Sequence, residues 1–348
     1  DGDFVKKCEH WFNENYKCKH VFMTHSCTGA LEMAALCIEI HPGDEVIVPS
    51  FTHISTANAF VLRGAKIVFA DILPETMCID AADAESKISP NTKAIVAVHY
   101  GGYAADLDRL SEICKKHSLF LIEDAAHSIG AKLNGKYLGT IGDIGCLSFH
   151  ETKNIHCGEG GALLLNNESL LEKAEQIYEK GSNRNAFLKK EVEEYTWTSE
   201  GSCFSMNNLS AAYLYSQFRE LDITNSYRLE VWNWYYEELK VLIENKKIFQ
   251  LPPLPGKETI FNAHIFFIKC RDNNTADTIL AHLNERGISA HRHFHPLHKS
   301  PFGQHFGSID CPISESEYPK LIRLPMHTGI KKADIKFIAN SLAEFLSE

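Results

Sequence analysis

Ala94-Ile95-Val96-Ala97-Val98, then Leu107 to Lys116, then Leu119-Phe120-Leu121-Ile122 running into Glu123-Asp124-Ala125-Ala126-His127, is the stretch that decides the fold. Two short runs are apolar on both faces. The segment between them is apolar at Leu107, Leu110 and Ile113–Cys114, which is helical spacing. Strand, helix, strand with doubly apolar strands predicts a parallel sheet covered on both sides. In such sheets ligands bind beyond the carboxyl ends of the strands. Asp124 lies at such an end, and so does Asp71.

The pattern extends upstream. Glu45–Pro49 and Lys66–Ala70 read as strands, with a helix over Ser55–Leu62 between them. Downstream of Asn207 a long helical region runs through Ala211, Tyr215, Tyr235 and Leu239 towards Asn245. Pro252-Pro253-Leu254-Pro255-Gly256 reads as a linker. Past it come a strand (Ile265–Cys270), a helix (Ala276–Arg286), a strand (Ser289–His295) and a terminal helix (Ala333–Leu346). The expectation is a large α/β domain over 1–250, with long connecting helices, and a small α+β domain over 251–348.

The 348 residues carry a formal net charge of -10, which argues against a nucleic-acid-binding surface. No apolar stretch approaches the roughly 20 residues that span a bilayer, and no signal peptide is visible. The eleven cysteines have no CxxC spacing. Cys37, Cys114 and Cys270 sit inside apolar patterns, as reduced core thiols do. A soluble, cytoplasmic chain with no membrane partner is expected.

Chemistry concentrates at three places. Thr24-His25-Ser26-Cys27-Thr28-Gly29-Ala30 precedes the strong helix former Leu31–Leu36, so hydroxyls and a glycine stand at a helix start. That is either a plain cap or a phosphate site. Asp124 either caps a turn or partners a cationic nitrogen. Lys153 lies in Ser148-Phe149-His150-Glu151-Thr152-Lys153-Asn154, just before Gly158-Glu159-Gly160-Gly161. A lone lysine is ordinarily a solvated charge. Beside Ser148 and glycines that allow close backbone approach, it gains a second reading. In order along one α/β sheet, phosphate cradle, aspartate, serine and lysine are what a protein needs to hold pyridoxal 5'-phosphate.

A competing constellation is His291, His293 and His295, which on a strand would share one face and could bind a transition metal. No Cys/His pair with structural-zinc spacing accompanies them, so lining of a polar cleft is the preferred reading and no metal site is assigned.

These residues resemble the DegT/DnrJ sugar-nucleotide aminotransferases. The resemblance rests on Gly43–Ser50, Glu123–His127, Gly139-Thr140-Ile141-Gly142 and Gly158–Gly161, and it covers essentially the whole chain. His150-Glu151-Thr152-Lys153-Asn154 marks one branch of that family. The resemblance implies the fold of type I pyridoxal-phosphate-dependent transferases, like aspartate aminotransferase. It also implies a homodimer with shared active sites, and transfer of an amino group from L-glutamate to C4 of a dTDP-linked 4-keto-6-deoxyhexose. A 3-keto sugar is an alternative substrate. Dehydratase relatives carry histidine where Lys153 stands.

By the same resemblance Lys153 is the Schiff-base lysine and general acid/base, and Asp124 partners the pyridine nitrogen. His127 sits by the phenolic oxygen, and Thr28, Gly29 and Ser148 hold the phosphate. Ser205 matches a position that reaches the neighbouring subunit's phosphate. Arg184, Arg292, His293 and His298 are candidates for contacts to the sugar or diphosphate. The family pattern also places one more short strand and loop ahead of Asp1-Gly2-Asp3-Phe4. At His53 relatives usually place an aromatic that stacks on the pyridine ring. A neutral imidazole can stack there, whereas a protonated one would repel a pyridinium, so weaker cofactor binding at low pH is expected.

Overall fold

The computed structural model describes residues 2–245 and 249–345. Nine strands precede residue 170: β1 His20–Thr24, β2 Glu45–Pro49, β3 Lys66–Ala70, β4 Thr92–Val98, β5 Phe120–Asp124, β6 Lys132–Leu133, β7 Lys136–Tyr137, β8 Ile144–Ser148 and β9 Gly161–Leu165. Seven of them form one sheet in the order β1-β9-β8-β5-β4-β2-β3. Only β9 runs against the rest, antiparallel to both β1 and β8. The strands read from the sequence in this part of the chain are all present, as β2, β3, β4 and β5. β1, β8 and β9 were not read as strands, because their apolar runs are too short to tell from buried helix by periodicity.

The register sets the site. Val98 of β4 is level with Asp124 of β5, and Asp124 with Cys146 of β8, two residues before Ser148. The carboxyl ends of three adjacent strands therefore open at one height. Helix Cys27–Cys37 covers one face, with Ala30, Leu31, Ala34 and Ala35 packed against Val46, Val96, Ile122 and Cys146. Helix Leu107–His117 covers the other, burying Leu107, Leu110, Ile113 and Cys114. Its ends follow local chemistry: the Asp106 carboxylate accepts from the Arg109 amide at 3.2 Å, and Ser118 leaves in a left-handed conformation.

The long helical region divides into Asn208–Phe218 and Leu221–Asn245, with Arg219-Glu220 between them. Trp232 and Tyr235 of the second helix are fully buried and pack on Phe266, their ring centroids 5.3 and 4.7 Å from it. Such aromatic contacts add about 0.5–1.5 kcal/mol beyond burial. They tie the helix to a three-stranded sheet of β10 Phe249–Gln250, β12 Phe266–Cys270 and β13 Leu321–Leu324, while β11 Thr259–Ile260 pairs instead with β6.

Three details of the C-terminal part differ from the sequence reading. The helix expected over Ala276–Arg286 spans Asn273–Glu285, because Asp272 caps it at the Thr275 amide. The last helix spans Lys332–Phe345, and Leu346 lies outside the described residues. The strand expected over Ser289–His295 is not formed. Only a single bridge joins His291 to Arg323, and Phe294 turns the chain at φ +47° before Pro296. β13 takes its place beside β12, antiparallel, with Phe266 level with Leu324.

Candidate active site

A cavity of about 520 Å³ opens at the carboxyl ends of β4, β5 and β8 and is roofed by Ile265, His293, Phe294, Arg323 and Met326 from the C-terminal part. Its size suits a cofactor-sized ligand. Lys153 sits on the loop between β8 and β9, whose turns are closed by the Lys153 amide donating to the His150 carbonyl and the Glu151 amide to the Gly158 carbonyl. The lysine lines the cavity, and among the described residues its amine has no hydrogen-bond or ion-pair partner. Removal from water pushes the amine down to about 8; Cys27 and Asp124 oppose that shift and Arg323 adds to it. A nitrogen so placed is ready to act as nucleophile and base near neutral pH.

Asp124 is buried at the end of β5. Thr56 donates its hydroxyl to one carboxylate oxygen at 2.7 Å, and the Ala126 amide donates to the other at 3.2 Å. Thr52 supports Thr56 at 2.9 Å. The carboxylate retains acceptor capacity towards the cavity, whose lining it joins.

The helix start is both cap and cradle. Ser26 is the cap, accepting from the Gly29 amide at 3.0 Å, and the Thr28 hydroxyl donates to Ser55 at 2.9 Å. Ser26, Thr28 and Ser148 all line the cavity. The amides of a helix's first turn lack helical acceptors and carry the positive end of its dipole, so an anion is favoured there. Two glycines let the backbone close up. A Cβ at Gly161 would sit 2.4 Å from the Ser26 carbonyl carbon, and one at Gly29 would meet the His25 ring at 2.7 Å. The Gly158–Gly161 run therefore serves packing and a turn. Gly158 itself has φ +81° with open space around it.

His127 accepts from the Gly101 amide at Nδ1, 3.2 Å away, which leaves its proton on Nε2. Burial holds the ring well below the usual imidazole range, and Lys153, His264, His293 and Arg323 push it the same way. It stands among rings: His264 at 4.4 Å, His293 at 6.0 Å and Phe294 at 6.3 Å. His53 caps helix Ile54–Val61 through Nδ1 and lines the cavity 6.0 Å from Phe294. Desolvation lowers its pKa, with Asp124 opposing. It is therefore neutral at pH 7, the state in which it can stack.

Other residues read from the sequence are placed elsewhere. His293 reaches the cavity, but His291 bonds to Ser289 and His295 packs on Tyr318, so the three imidazoles do not converge. Among the described residues, no group of three His, Cys, Asp or Glu could hold a metal. Arg292 pairs with Asp277 at 2.8 Å, and His298 is buried with its Nε2 3.0 Å from Glu315. Neither lines the cavity. Asp71 accepts from the Ile313 and Ser314 amides and starts the helix Pro312–Glu317. Ser205 and Arg184 share a separate cleft with Tyr178 and Tyr195, and Arg184 pairs with Glu179.

Arg323, His264, Thr56 and Met326 line or support the site without having been read from the sequence. Each lies in an apolar or featureless stretch, and only β13 and the chain path after Ala263 bring the C-terminal three to Lys153. His264 donates from Nδ1 to Asn154, whose amide nitrogen donates to Asn225 and to the Asn262 carbonyl, all at 2.8 Å. The residue next to Lys153 is thereby fixed to both the long helix and the C-terminal part.

A partnerless lysine amine, a buried aspartate, a donor imidazole and a helix start, converging at strand ends, fit pyridoxal phosphate. Together with the sheet order they define a pyridoxal-phosphate-dependent enzyme of the type I transferase fold. The chain belongs to the DegT/DnrJ/EryC1/StrS aminotransferase family, whose profile matches residues 1–343. It is similar to GDP-perosamine synthase of Caulobacter vibrioides, 33% identical over 347 residues, covering 99% of this chain and 91% of that protein. Among solved structures it is similar to the aminotransferase PseC of Helicobacter pylori, involved in pseudaminic acid biosynthesis (TM-score 0.90, 27% identity, 99% and 91% of the two chains). It is also similar to the aminotransferase TlmJ of Streptoalloteichus hindustanus (TM-score 0.91, 27% identity, 99% and 91%). The protein is thus a sugar aminotransferase that uses pyridoxal phosphate. No helix among the described residues is long and apolar enough to cross a membrane.

Proposed function

We propose that the chain transfers the amino group of L-glutamate to C4 of a dTDP-4-keto-6-deoxyhexose, giving a dTDP-4-amino-4,6-dideoxyhexose of galacto configuration and 2-oxoglutarate. The observation that carries the amino transfer is the partnerless Lys153 amine, lowered to about 8, in one cavity with Asp124. The sugar assignment rests on the His150-Glu151-Thr152-Lys153-Asn154 run, which resembles that of dTDP-4-amino-4,6-dideoxygalactose transaminase.

Pyridoxal phosphate, when bound, carries the amino group and serves as the electron sink. The chain supplies the rest. Lys153 holds the cofactor; once released, its amine takes the proton from the amino-bearing carbon of glutamate and later delivers one to C4 of the sugar. Asp124, steadied by Thr56, keeps the ring nitrogen protonated. His127 presents Nε2–H to the phenolic oxygen, and Thr28, Gly29 and Ser148 receive the phosphate. His53 would stack on the ring, and His293, which lines the same cavity, would contact the sugar.

The unit is a homodimer with shared sites. Exposed Tyr195 lies in the cleft of Ser205 and Arg184, and exposed Leu62 and Trp197 line another cleft with Phe204, apolar surface that suits a second copy. The eleven cysteines are all unpaired, which suits a cytoplasmic setting.

The similarity to GDP-perosamine synthase favours a second reading, a GDP-linked 4-keto sugar. One assay separates them. dTDP- and GDP-linked 4-keto-6-deoxyhexoses are each incubated with L-glutamate and the holoenzyme, and the product is analysed by NMR. The proposal expects turnover of the dTDP sugar, with an axial C4 amine. Turnover of the GDP sugar alone, an equatorial amine, or amination at C3 would each overturn the corresponding part.

A further inference from the structure

His264 carries a lone pair for which the roles above supply no use. The ring is buried, lines the cavity and packs on His127 with centroids 4.4 Å apart. Its tautomer follows from a chain of asparagines. The Asn262 carbonyl can only accept, so the Asn154 atom 2.8 Å from it is the amide nitrogen. The Asn154 oxygen is then the atom that faces His264 Nδ1, also at 2.8 Å, and that nitrogen carries the proton. Asn225 agrees, because its amide nitrogen donates to the Ile129 carbonyl at 3.1 Å and leaves its oxygen for Asn154. Nε2 of His264 is therefore bare. Among the described residues nothing donates to it.

The surroundings hold this arrangement in place. Arg228, buried one helical turn after Asn225, donates to the carbonyls of Ala263 and His264 at 3.3 and 2.6 Å. Ala263 is kept at φ +48°, a left-handed conformation that only such contacts sustain. Asn262 in turn donates to the carbonyls of His127 and Ile129 at 2.8 and 3.1 Å. The two imidazoles thus offer opposite poles to one cavity: His127 an N–H, His264 a lone pair.

Few donors can meet that lone pair. The pyridine N–H of the cofactor belongs to Asp124, and phosphate, phenolic oxygen and the carboxylates of an amino acid all accept. That leaves the hydroxyls of the sugar and the amine of Lys153, and only Lys153 is always present. It adjoins Asn154 in sequence. Burial holds the His264 ring well below the usual imidazole range, and Lys153 is the first charge that adds to that shift. Where it stands the amine has no acceptor among the described residues, and its flexible stem lets it turn.

We propose that His264 is a positioning residue for Lys153: once the lysine is released, Nε2 accepts its N–H and holds the amine beside the reacting carbon. Asn154 sets the tautomer that makes this possible. The assignment rests on Lys153 as the released group in the proposed function.

The test is nitrogen NMR of the histidine side chains in protein loaded with pyridoxamine phosphate, in which the Lys153 amine is free. His264 should carry its proton on Nδ1, and its Nε2 signal should show a hydrogen bond that is lost in Lys153→Ala. A proton on Nε2, or an Nε2 signal that Lys153→Ala leaves unchanged, would overturn the assignment. His264→Phe should slow the glutamate half-reaction, run without sugar, by about 10- to 100-fold, and the keto-sugar half-reaction by a similar factor. Asn154→Leu, which keeps the ring but frees Nδ1, should mix the tautomers and slow both halves. A defect confined to the keto-sugar half would give Nε2 to a sugar hydroxyl and sink the proposal. If His264→Phe does not fold, the spectra of wild type and Lys153→Ala decide alone. Turnover by Lys153→Ala would instead refute the role of Lys153 in the proposed function, an outcome distinct from a wrong partner for His264.

Discussion

Glu123 and Asp124 are neighbours on one strand, and they serve opposite ends. Side chains alternate along β5, so Glu123 faces the Leu121 and Ala97 side of the sheet and Asp124 the Ile122 and Val98 side. Glu123 is fully buried and consumed by structure. It accepts from His99 Nε2 at 2.9 Å and from the amides of Gly139, Ile141 and Gly142 at 2.8, 2.7 and 2.6 Å. Burial alone would raise its pKa, but those donors hold it below the usual carboxylate range. Asp124 has two donors and an open cavity in front of it. The Gly139–Gly142 run is therefore the seat of Glu123 and stands apart from the ligand. A carboxylate that is fully satisfied stabilises the fold, and one left partly free can do chemistry.

The largest effect should come from the partner that Asp124 faces. Lys153→Ala is expected to lower transamination by at least about 10⁴-fold, since it removes both nucleophile and proton carrier. Circular dichroism and Tm should stay near wild type, because the amine has no partner to lose. A wild-type rate with glutamate and the keto sugar would break the functional half of the contrast.

The paired substitution tests the contrast directly. Asp124→Asn should cut kcat by about 10²–10⁴-fold, the range of a lost acid–base group, with little change in Tm. Glu123→Gln should do the reverse. Its amide nitrogen would replace one carboxylate oxygen and point a donor at two of these N–H groups, either Ile141 and Gly142 or Gly139 and His99, at about 1–3 kcal/mol for each group left unsatisfied, so Tm falls by several degrees while kcat in the surviving folded protein moves little. Because the folded pKa of Glu123 is depressed, its stabilisation is present above the ordinary carboxylate range and is lost as pH falls through that range. The acid limb of a Tm–pH curve should therefore flatten in Glu123→Gln. Equal effects of the two substitutions on kcat would show that the faces are not independent.

The half of the contrast that local pattern encodes was legible in the sequence. The apolar runs and helical spacing around Leu107–Lys116 dictate a parallel sheet, and an acid at the end of β5 follows from where such a run stops. The polar stretch at Lys153 and the hydroxyls before Leu31 stood out for the same reason. What was not legible depends on chain segments that meet only in space. Arg323 and His264 have no local signature, and His293 was singled out for the wrong geometry, as one of three on a strand face. The left-handed turn at Phe294 separates those imidazoles and swings one of them into the cavity. Arg292 and His298 looked equally promising in sequence, and Asp277 and Glu315 hold them away.

The roof of the cavity gives a smaller, pH-dependent effect. His293 is lowered to about 2, first by desolvation and then by Arg323, Lys153 and His53. Its folded pKa lies below the unfolded value of about 6.5, so the unfolded chain binds the extra proton first. Stability is unaffected above that value and declines as pH falls below it, by about 1.4 kcal/mol for each pH unit from this group. His293→Asn should shallow the loss of denaturation free energy between pH 6.5 and 5. An unchanged slope would mean that the ring is solvated, and that the roof is as open as the Asp124 side.

The least effect is expected at His53, where the cavity meets solvent. Its ring is neutral at pH 7, because desolvation lowers it further than Asp124 raises it, and its Nδ1 is occupied by the Ser55 amide at 3.2 Å. A neutral ring can stack on a pyridine face, so replacing it should bring only the added area and polarisability of a larger aromatic. His53→Phe is expected to slow loss of pyridoxal phosphate on dialysis by no more than about tenfold, the equivalent of about 1.4 kcal/mol. The gain should grow as the pH falls through the lowered range of the imidazole, where the wild-type ring begins to protonate beside a pyridinium. Phenylalanine also removes the cap on helix Ile54–Val61, the helix that carries Thr56 to Asp124, and that loss costs about 0.5–2 kcal/mol. Retention that is unchanged at pH 8 but improved at pH 5.5 would assign the effect to charge. Weaker retention at both would show that the His53 cap on the Thr56 helix matters more to Asp124 than stacking does.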